Sequence, residues 1–590
     1  MRLHRSAFPF GQFDCLLQHD RVPAKPFENM NCAQGRMPSF LLACAALFTA
    51  AVPAGQAQTQ TTAAAATAAS RTAPAAPRGA RPKNVVFILL DDLRFDGMGF
   101  LQPGLLKTPN IDKLARGGTY FPNAVVNSSL CSPSRTTILT GQTPRNHRIV
   151  DNNDKSAGGD SERGLTFFPS YLQQAGYQTA FIGKWHIGAA TDKPRPGFDK
   201  WVSFKGQGSY FPSTGGEGRR GGSTTLDVDG KDVPQKGYIT DELTDYAIDW
   251  LSTERDPNKP FFLYLSHKAV HSGATPAARH AHQYDNVNFT LPDTAANTPE
   301  NYRGKPLWVY NQRNSWHGIE YPYNSDQKMT DYLRQYYATL SSVDESVGRV
   351  LDYLKKNGLE KDTLIVFTSD NGYMIGDHGL IDKRAAYEAS VRVPLVVYGP
   401  GFVPAGRTNP ARIRNLDYAP TFLALANVPA PSQFEGQNVL PLISGQVRPQ
   451  DWKAQDFVYE YYWEWSFPST PTTFAITREG LKYIQYHGVY DLDELYDLSN
   501  DPTEKVNLTD DPAYQDRKAT LRTALFQQLT NAQGRRDIPF TPRDSIGSVR
   551  RVRQGTGAAP YPDSWLIEPR SRDARPDGAA QPGGPRDRRD

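Results

Sequence analysis

Cysteine is nearly missing from this chain: there are four in 590 residues, at positions 15, 32, 44 and 131. The first three fall in a leader, so the body of the protein has one thiol and no disulfide framework. Long hydrophobic runs are missing as well. The longest, Phe40 to Val52, falls short of the ~20 apolar residues a membrane span needs, which argues against a spanning protein. Nor does charge of one sign dominate. Sixty-six basic and 62 acidic residues leave a net charge of +4, too even a balance for a nucleic-acid partner.

The rest is ordinary for a large soluble protein, with 38% hydrophobic and 22% charged residues. The length allows two packed domains. The run Phe40 to Val52, followed by Ala54-Gly55-Gln56-Ala57, reads as the h-region and small-x-small site of a secretory signal peptide cleaved after Ala57. Its distance from Met1 suggests translation from Met30 or Met37. The expectation is an exported, periplasmic or secreted protein: leader 1–57, low-complexity linker 58–82, catalytic domain 83–450, C-terminal α+β subdomain 451–544 and disordered tail 545–590.

Four continuous apolar runs predict strands buried on both faces of a mostly parallel sheet: Val85 to Leu90, Thr179 to Ile182, Phe261 to Ser266 and Thr363 to Thr368. Each ends in chemistry. Asp91-Asp92 follow the first, and adjacent carboxylates at a strand's carboxyl end suit a hard divalent cation. Lys184 and His186 follow the second, able to bind an anion and move a proton. His267 and His271 follow the third, and Asp370-Asn371-Gly372 the fourth. Leu340 to Leu354 repeat at helical spacing, predicting an amphipathic helix that stops near Gly358. Phe168 to Ala175 also reads as helical. Gly206 to Gly237, rich in Gly and Ser, reads as a long surface loop.

Between the first two runs lies Leu130-Cys131-Ser132-Pro133-Ser134-Arg135, leading to Leu139-Thr140-Gly141. Pro133 suits a helix start, so Cys131 belongs at a helix N-terminus, where negative charge is favoured. Arg135, one turn on, can reach back toward it. A buried structural thiol is the plainer alternative.

The Cys-x-Pro-Ser-Arg stretch, with the strand-end residues in this order, resembles the type I sulfatases over about Asn84 to Leu508. That resemblance implies an alkaline-phosphatase-like α/β fold: a mostly parallel sheet sandwiched by helices, with a smaller C-terminal antiparallel-sheet plus helix subdomain. It also implies that Cys131 is converted to formylglycine by a formylglycine-generating enzyme. Metal ligands fall by resemblance on Asp91, Asp92, Cys131, Asp370 and Asn371. The implied ion is Ca²⁺, and an all-oxygen set independently favours Ca²⁺ or Mg²⁺ over zinc. Arg135, Lys184 and Lys383 would stabilise sulfuryl charge, with Asp370 accepting the attacking hydroxyl's proton. His271, with Lys383, would protonate the leaving oxygen, and His186 would deprotonate the remaining hydroxyl to expel sulfate. His267 remains an alternative to His271.

Ser266 to His271, Gly372-Tyr373 and His378 to Arg384 look most like N-acetylglucosamine-6-sulfatases and related glycosaminoglycan or mucin sulfatases. The implied substrate is a sulfated sugar or another sulfate ester. A phosphate or phosphonate monoester hydrolase of the same fold is one alternative. A non-catalytic sulfoglycan-binding protein with unmodified Cys131 is the other. Farther on, Val458 to Trp465, Thr473 to Thr477 and Leu481 to Tyr486 predict an antiparallel sheet, and Ala513 to Asn531 a helix. The aromatic cluster Tyr459, Tyr461, Tyr462, Trp463, Trp465 and Phe467 is expected to divide between core and substrate rim.

Overall fold

The computed structural model describes residues 81–152, 164–188, 191–212, 223–464, 467–487 and 491–530, together with the backbone of two short strands farther on. The leader, linker residues 58–80 and Trp465 lie outside the described residues. Ten strands form one sheet: β1 (Asn84–Leu90), β2 (Thr119–Tyr120), β3 (Gln178–Gly183), β4 (Lys200–Phe204), β5 (Thr225–Val228), β6 (Lys231–Pro234), β7 (Phe261–Ser266), β8 (Thr363–Ser369), β9 (Leu395–Tyr398) and β10 (Arg407–Thr408). Their spatial order is β10-β2-β9-β8-β1-β7-β3-β4-β5-β6. The central run β8-β1-β7-β3-β4 is parallel throughout. β9 lies antiparallel to β8.

Why the strands read as unbroken apolar runs is now visible. Val86, Ile88 and Leu90 face one layer, containing α1 (Pro109–Gly117), α4 (Ile239–Asp249) and the 28-residue α5 (Met329–Lys356). Val85, Phe87 and Leu89 face the other, formed by α2 (Cys131–Thr140), α3 (Phe168–Gln174) and α6 (Tyr418–Leu425). Both faces of β1, β3, β7 and β8 are covered, so no polar alternation survives in them. Among the described residues no helix is long and apolar enough to cross a membrane.

The stretch expected to be one long surface loop differs from that reading. Thr225–Val228 and Lys231–Pro234 form a hairpin that extends the sheet beyond β4. Leu226 supplies a buried apolar anchor that the surrounding Gly and Ser obscured.

The C-terminal part is a four-stranded antiparallel sheet, β11 (Phe457–Tyr461), β12 (Thr472–Arg478), β13 (Leu481–His487) and β14 (Glu494–Asp497). The helix α7 (Gln515–Thr530) packs on one face through Leu521, Leu525 and Leu529, against Val458, Ile476 and Tyr483. The opposite face, with Tyr459, Tyr461 and Ile484, packs on Ala385 and Tyr387 of the large domain. Tyr459, Tyr461 and Tyr462 are therefore all core, because this strand is covered on both sides. Trp463 is half-buried, and its indole N–H donates to the Pro468 carbonyl at 3.1 Å.

Candidate active site

The carboxyl ends of β1, β3, β7 and β8 are level with one another. Leu90 pairs with Ser369 and Gly183 with Ser266, so the residues that follow all emerge at one edge. Asp91 N–H donates to the Ala269 carbonyl (3.0 Å) and Asp370 N–H to that of Leu90 (2.9 Å), carrying the ladder one step past the strands. Gly183 takes φ +126°, and a Cβ there would lie 1.8 Å from the Ser266 carbonyl oxygen. Only glycine allows the chain to turn here and deliver Lys184.

α2 brings the cysteine to the same edge. Cys131 is its first residue and is wholly buried. Its Sγ lies 3.3 Å from Lys383 Nζ, 3.8 Å from Lys184 Nζ and 3.5 Å from Asp91 Oδ1. Burial first, and the Asp91 charge second, push the thiol up to about 12. A native thiol here is protonated at neutral pH and is a poor nucleophile.

The carboxylates converge on one point. Ligand oxygens of Asp91, Asp92 and Asp370 lie within 4.8 Å of one another. Burial raises the Asp91 carboxyl, but Lys184, then His271 and Arg135, outweigh it and hold the group well below the usual range. Asp92 is raised by burial and by Asp91, against the pull of Lys383. Asp370 is pushed up to about 7 by burial and by the charge of Asp91. Lys383 Nζ donates to Asp92 Oδ1 (2.5 Å) and Lys184 Nζ to Asp91.

Three carboxylates and one buried amide oxygen form a set of hard donors. Asn371 donates its amide N–H to Asp92 (2.6 Å), which turns Oδ1 the other way. That buried oxygen has no hydrogen-bond partner among the described residues. A buried acceptor left unsatisfied costs ~1–3 kcal/mol unless something else takes its lone pair. The residues present fit a divalent cation.

Arg135 approaches from beneath. Its Nε donates to Asp370 (2.8 Å), and its Nη1 donates to the Lys184 carbonyl and the Ser266 hydroxyl (2.5 and 2.8 Å). Burial opposes its charge, but Asp370 and Asp91 hold the guanidinium well above its ordinary value. It binds three strand ends to one another, and its Nη2, without a hydrogen bond among the described residues, lies 3.9 Å from Asp91 Oδ2.

His271 Nε2 stands 3.9 Å from Asp92 Oδ2. Burial, followed by Lys184 and Lys383, keeps it well below the usual imidazole range, with Asp91 opposing. His186 is likewise lowered, by burial and then Lys184. His267 points elsewhere: its Nε2 is 3.1 Å from the Ser346 hydroxyl on α5.

Sequence reasoning missed Gln207. It accepts from Lys184 Nζ at 2.6 Å, and its amide nitrogen lies 3.5 Å from His186 Nε2. It sits in the stretch taken for a loop, and a lone glutamine carries no motif. Asp382 and Arg384, paired at 2.6 Å, flank Lys383, and Arg384 is also held by Glu464 at 2.7 Å.

Comparisons with known proteins converge on one family. The sulfatase family profile matches residues 83–428, and that of the C-terminal part of N-sulphoglucosamine sulphohydrolase matches 376–531. An N-acetylglucosamine-6-O-sulfatase of Bacteroides thetaiotaomicron is 32% identical over 503 residues, 75% of this chain and 85% of that protein. The human N-acetylglucosamine-6-sulfatase is 30% identical over 517 residues, 79% and 88% of the two chains. A solved structure in complex with its substrate D-glucosamine-2-N,6-O-disulfate superposes with a TM-score of 0.67 at 31% identity, covering 77% of this chain and 98% of that one. The phosphonate monoester hydrolase of Agrobacterium radiobacter, 21% identical with a TM-score of 0.59 over 80% of this chain and 99% of that one, shares the fold.

Proposed function

The chain belongs to the sulfatase family, and from that premise we propose that it removes the 6-O-sulfate of a glucosamine-type sugar through a nucleophile made from Cys131. It is a sulfuric ester hydrolase acting on sulfated carbohydrate. The choice of sugar is supported by the relatives named as N-acetylglucosamine-6-sulfatases and by the disulfated glucosamine complex. The observation that carries the mechanism is the junction of Cys131 Sγ, Lys383 Nζ and the three aspartates at one strand edge.

Converted to formylglycine by a dedicated modifying enzyme, Cys131 would supply a hydrated aldehyde, and a divalent ion, Ca²⁺ in our reading, would supply positive charge against sulfuryl oxygen. Asp91, Asp92, Asp370 and Asn371 would hold that ion, with residue 131 beside them. Lys184 and Lys383 aim their ammonium groups at the same point and stabilise negative charge as it develops. Asp370, one of the carboxylates that would hold the ion, would accept the attacking hydroxyl's proton. Arg135 keeps that carboxylate in place. His271, together with Lys383, would protonate the departing alcohol oxygen, and His186, neutral through burial, would take a proton from the hydrate.

The catalytic domain is placed at 83–450 and the C-terminal subdomain at 451–544. β11 begins at Phe457 and α7 ends at Thr530, in support of that division. Export by a signal peptide ending at Ala57 belongs to the same proposal.

The deciding experiment has two arms. A mass measurement of the tryptic peptide containing residue 131 should show thiol replaced by aldehyde. Release of inorganic sulfate from N-acetylglucosamine-6-sulfate should exceed, in kcat/KM, the release of phosphate from the matching phosphate ester. Preference for phosphate would overturn the reading, and an intact thiol in a fully active protein would overturn the nucleophile.

A further inference from the structure

Large apolar side chains exposed on the described residues are not scattered. Seven are exposed, and four of them, Leu307, Tyr310, Trp316 and Tyr321, belong to the single stretch 302–323 between His271 and α5. That stretch is joined to the active site. The Ile381 N–H donates to the His317 carbonyl (2.8 Å) and the Ile319 N–H to that of Gly379 (3.1 Å). Residues 317–319 therefore run beside the segment that delivers Lys383. His317 Nδ1 lies 3.6 Å from Asp382.

A second line of contact leads the same way. Tyr323 N–H donates to the Trp316 carbonyl at 3.1 Å, and the two rings meet edge-on at 6.3 Å. The Tyr323 ring packs against that of Tyr332 at 6.1 Å, and the Tyr332 hydroxyl donates to that of Tyr373 at 3.0 Å, two residues past Asn371. Burial, then the charges of Asp382 and Asp92, push the Tyr323 phenol well up. Trp316 thus stands at the outer end of a contact line that starts at the catalytic groups, with 39% of its surface exposed; Tyr321 is 56% exposed.

We propose that Trp316 and Tyr321 form a stacking platform for the pyranose ring next to the sulfated sugar, so that the preferred substrate is a glycan chain rather than a monosaccharide. This rests on the carbohydrate reading above. A pyranose presents a flat face of C–H groups, and an indole or phenol ring matches it with large area and little loss of side-chain freedom. Continuity with the catalytic edge selects the glycan as occupant. Exposed apolar clusters of this kind also mark protein interfaces, which makes a second copy of the chain the rival occupant.

The test compares two substrates: N-acetylglucosamine-6-sulfate, and a tetrasaccharide carrying that sugar at its non-reducing end. Trp316→Ala should raise KM for the tetrasaccharide about tenfold, the scale of one lost ring stack. It should leave kcat and the monosaccharide KM unchanged, and Trp316→Phe should restore most of the loss. Tyr321→Ala should act in the same direction, more weakly. Equal loss on both substrates with a lower Tm would make Trp316 part of the fold and overturn the platform, as would no change on either. A dimer that Trp316→Ala converts to monomer in sedimentation, with tetrasaccharide kinetics intact, would assign the surface to self-association. Should the wild type hydrolyse neither sugar, the proposed function fails. The platform is then judged by calorimetric titration with the same tetrasaccharide, which Trp316→Ala must weaken for it to stand.

Discussion

Cys131 has no exposed surface and a thiol held protonated beside Asp91. Any unmodified fraction should therefore resist iodoacetamide in the native state at pH 8 and react fully once the chain is unfolded; ready alkylation of the native protein would contradict the geometry. Cys131→Ala should abolish sulfate release while shifting Tm by only a few degrees, since a small buried side chain is lost and the cavity is minor. The carboxylate cluster supports a second expectation. A chelator should remove activity and lower Tm together, because Asp91, Asp92 and Asp370 then repel without a cation, and added Ca²⁺ should restore both. These residues were legible in the sequence because each follows a buried strand, and an acidic or basic residue there has no packing reason to exist. Gln207 was not, since its role depends on where a glycine-rich stretch folds back.

At the scale of elements, the turn after β3 is the most constrained joint. Ala in place of Gly183 would need φ +126° and would drive its Cβ into the Ser266 carbonyl. Gly183→Ala should cost at least ~2 kcal/mol from backbone strain alone, lowering Tm. It should reduce kcat more than it raises KM, because Lys184 and His186 are displaced together. Wild-type activity and Tm in that variant would show the turn to be tolerant. The apolar runs located β1, β3, β7 and β8 to within a residue or so, because burial on both faces leaves an unmistakable signature. The same signature could not give direction. β9 reads like its neighbours yet runs antiparallel to β8, a choice made by connections and not by side chains. The aromatic strand β11 taught the converse: alternation placed half its side chains on each face, but α7 covers the face that solvent or a sugar was expected to occupy.

For the whole molecule, the seam between the large domain and the C-terminal sheet is unusually rich in buried charge. Lys482 on β13 is enclosed between Glu388 (2.6 Å) and Glu504 (2.8 Å) and donates to the Ala386 carbonyl (2.8 Å). Lys482→Met should destabilise by about 3–5 kcal/mol, since two buried carboxylates lose their partner, and denaturant unfolding measures it. Glu504 is pushed up to about 7 by burial, with Glu388 adding and Lys482 opposing. Folded protein then holds a proton that the unfolded chain, with an ordinary value of 4.5, has released. Its contribution to stability is full below about pH 4.5 and is lost as pH rises through about 7. Wild type should therefore lose stability relative to Glu504→Gln between pH 5 and pH 8; parallel curves would refute this. One more consequence comes from distance along the chain. The residues that enclose Cys131 arrive late: Arg135 awaits Asp370, 235 positions downstream. At ribosomal speeds that interval is roughly 10–50 s. For that time residue 131 is not yet enclosed, and the modifying enzyme of the proposed function would have to reach it before Asp370 arrives. Under that proposal a molecule that folds first keeps its thiol, and the yield of working protein would be decided by a race at its birth.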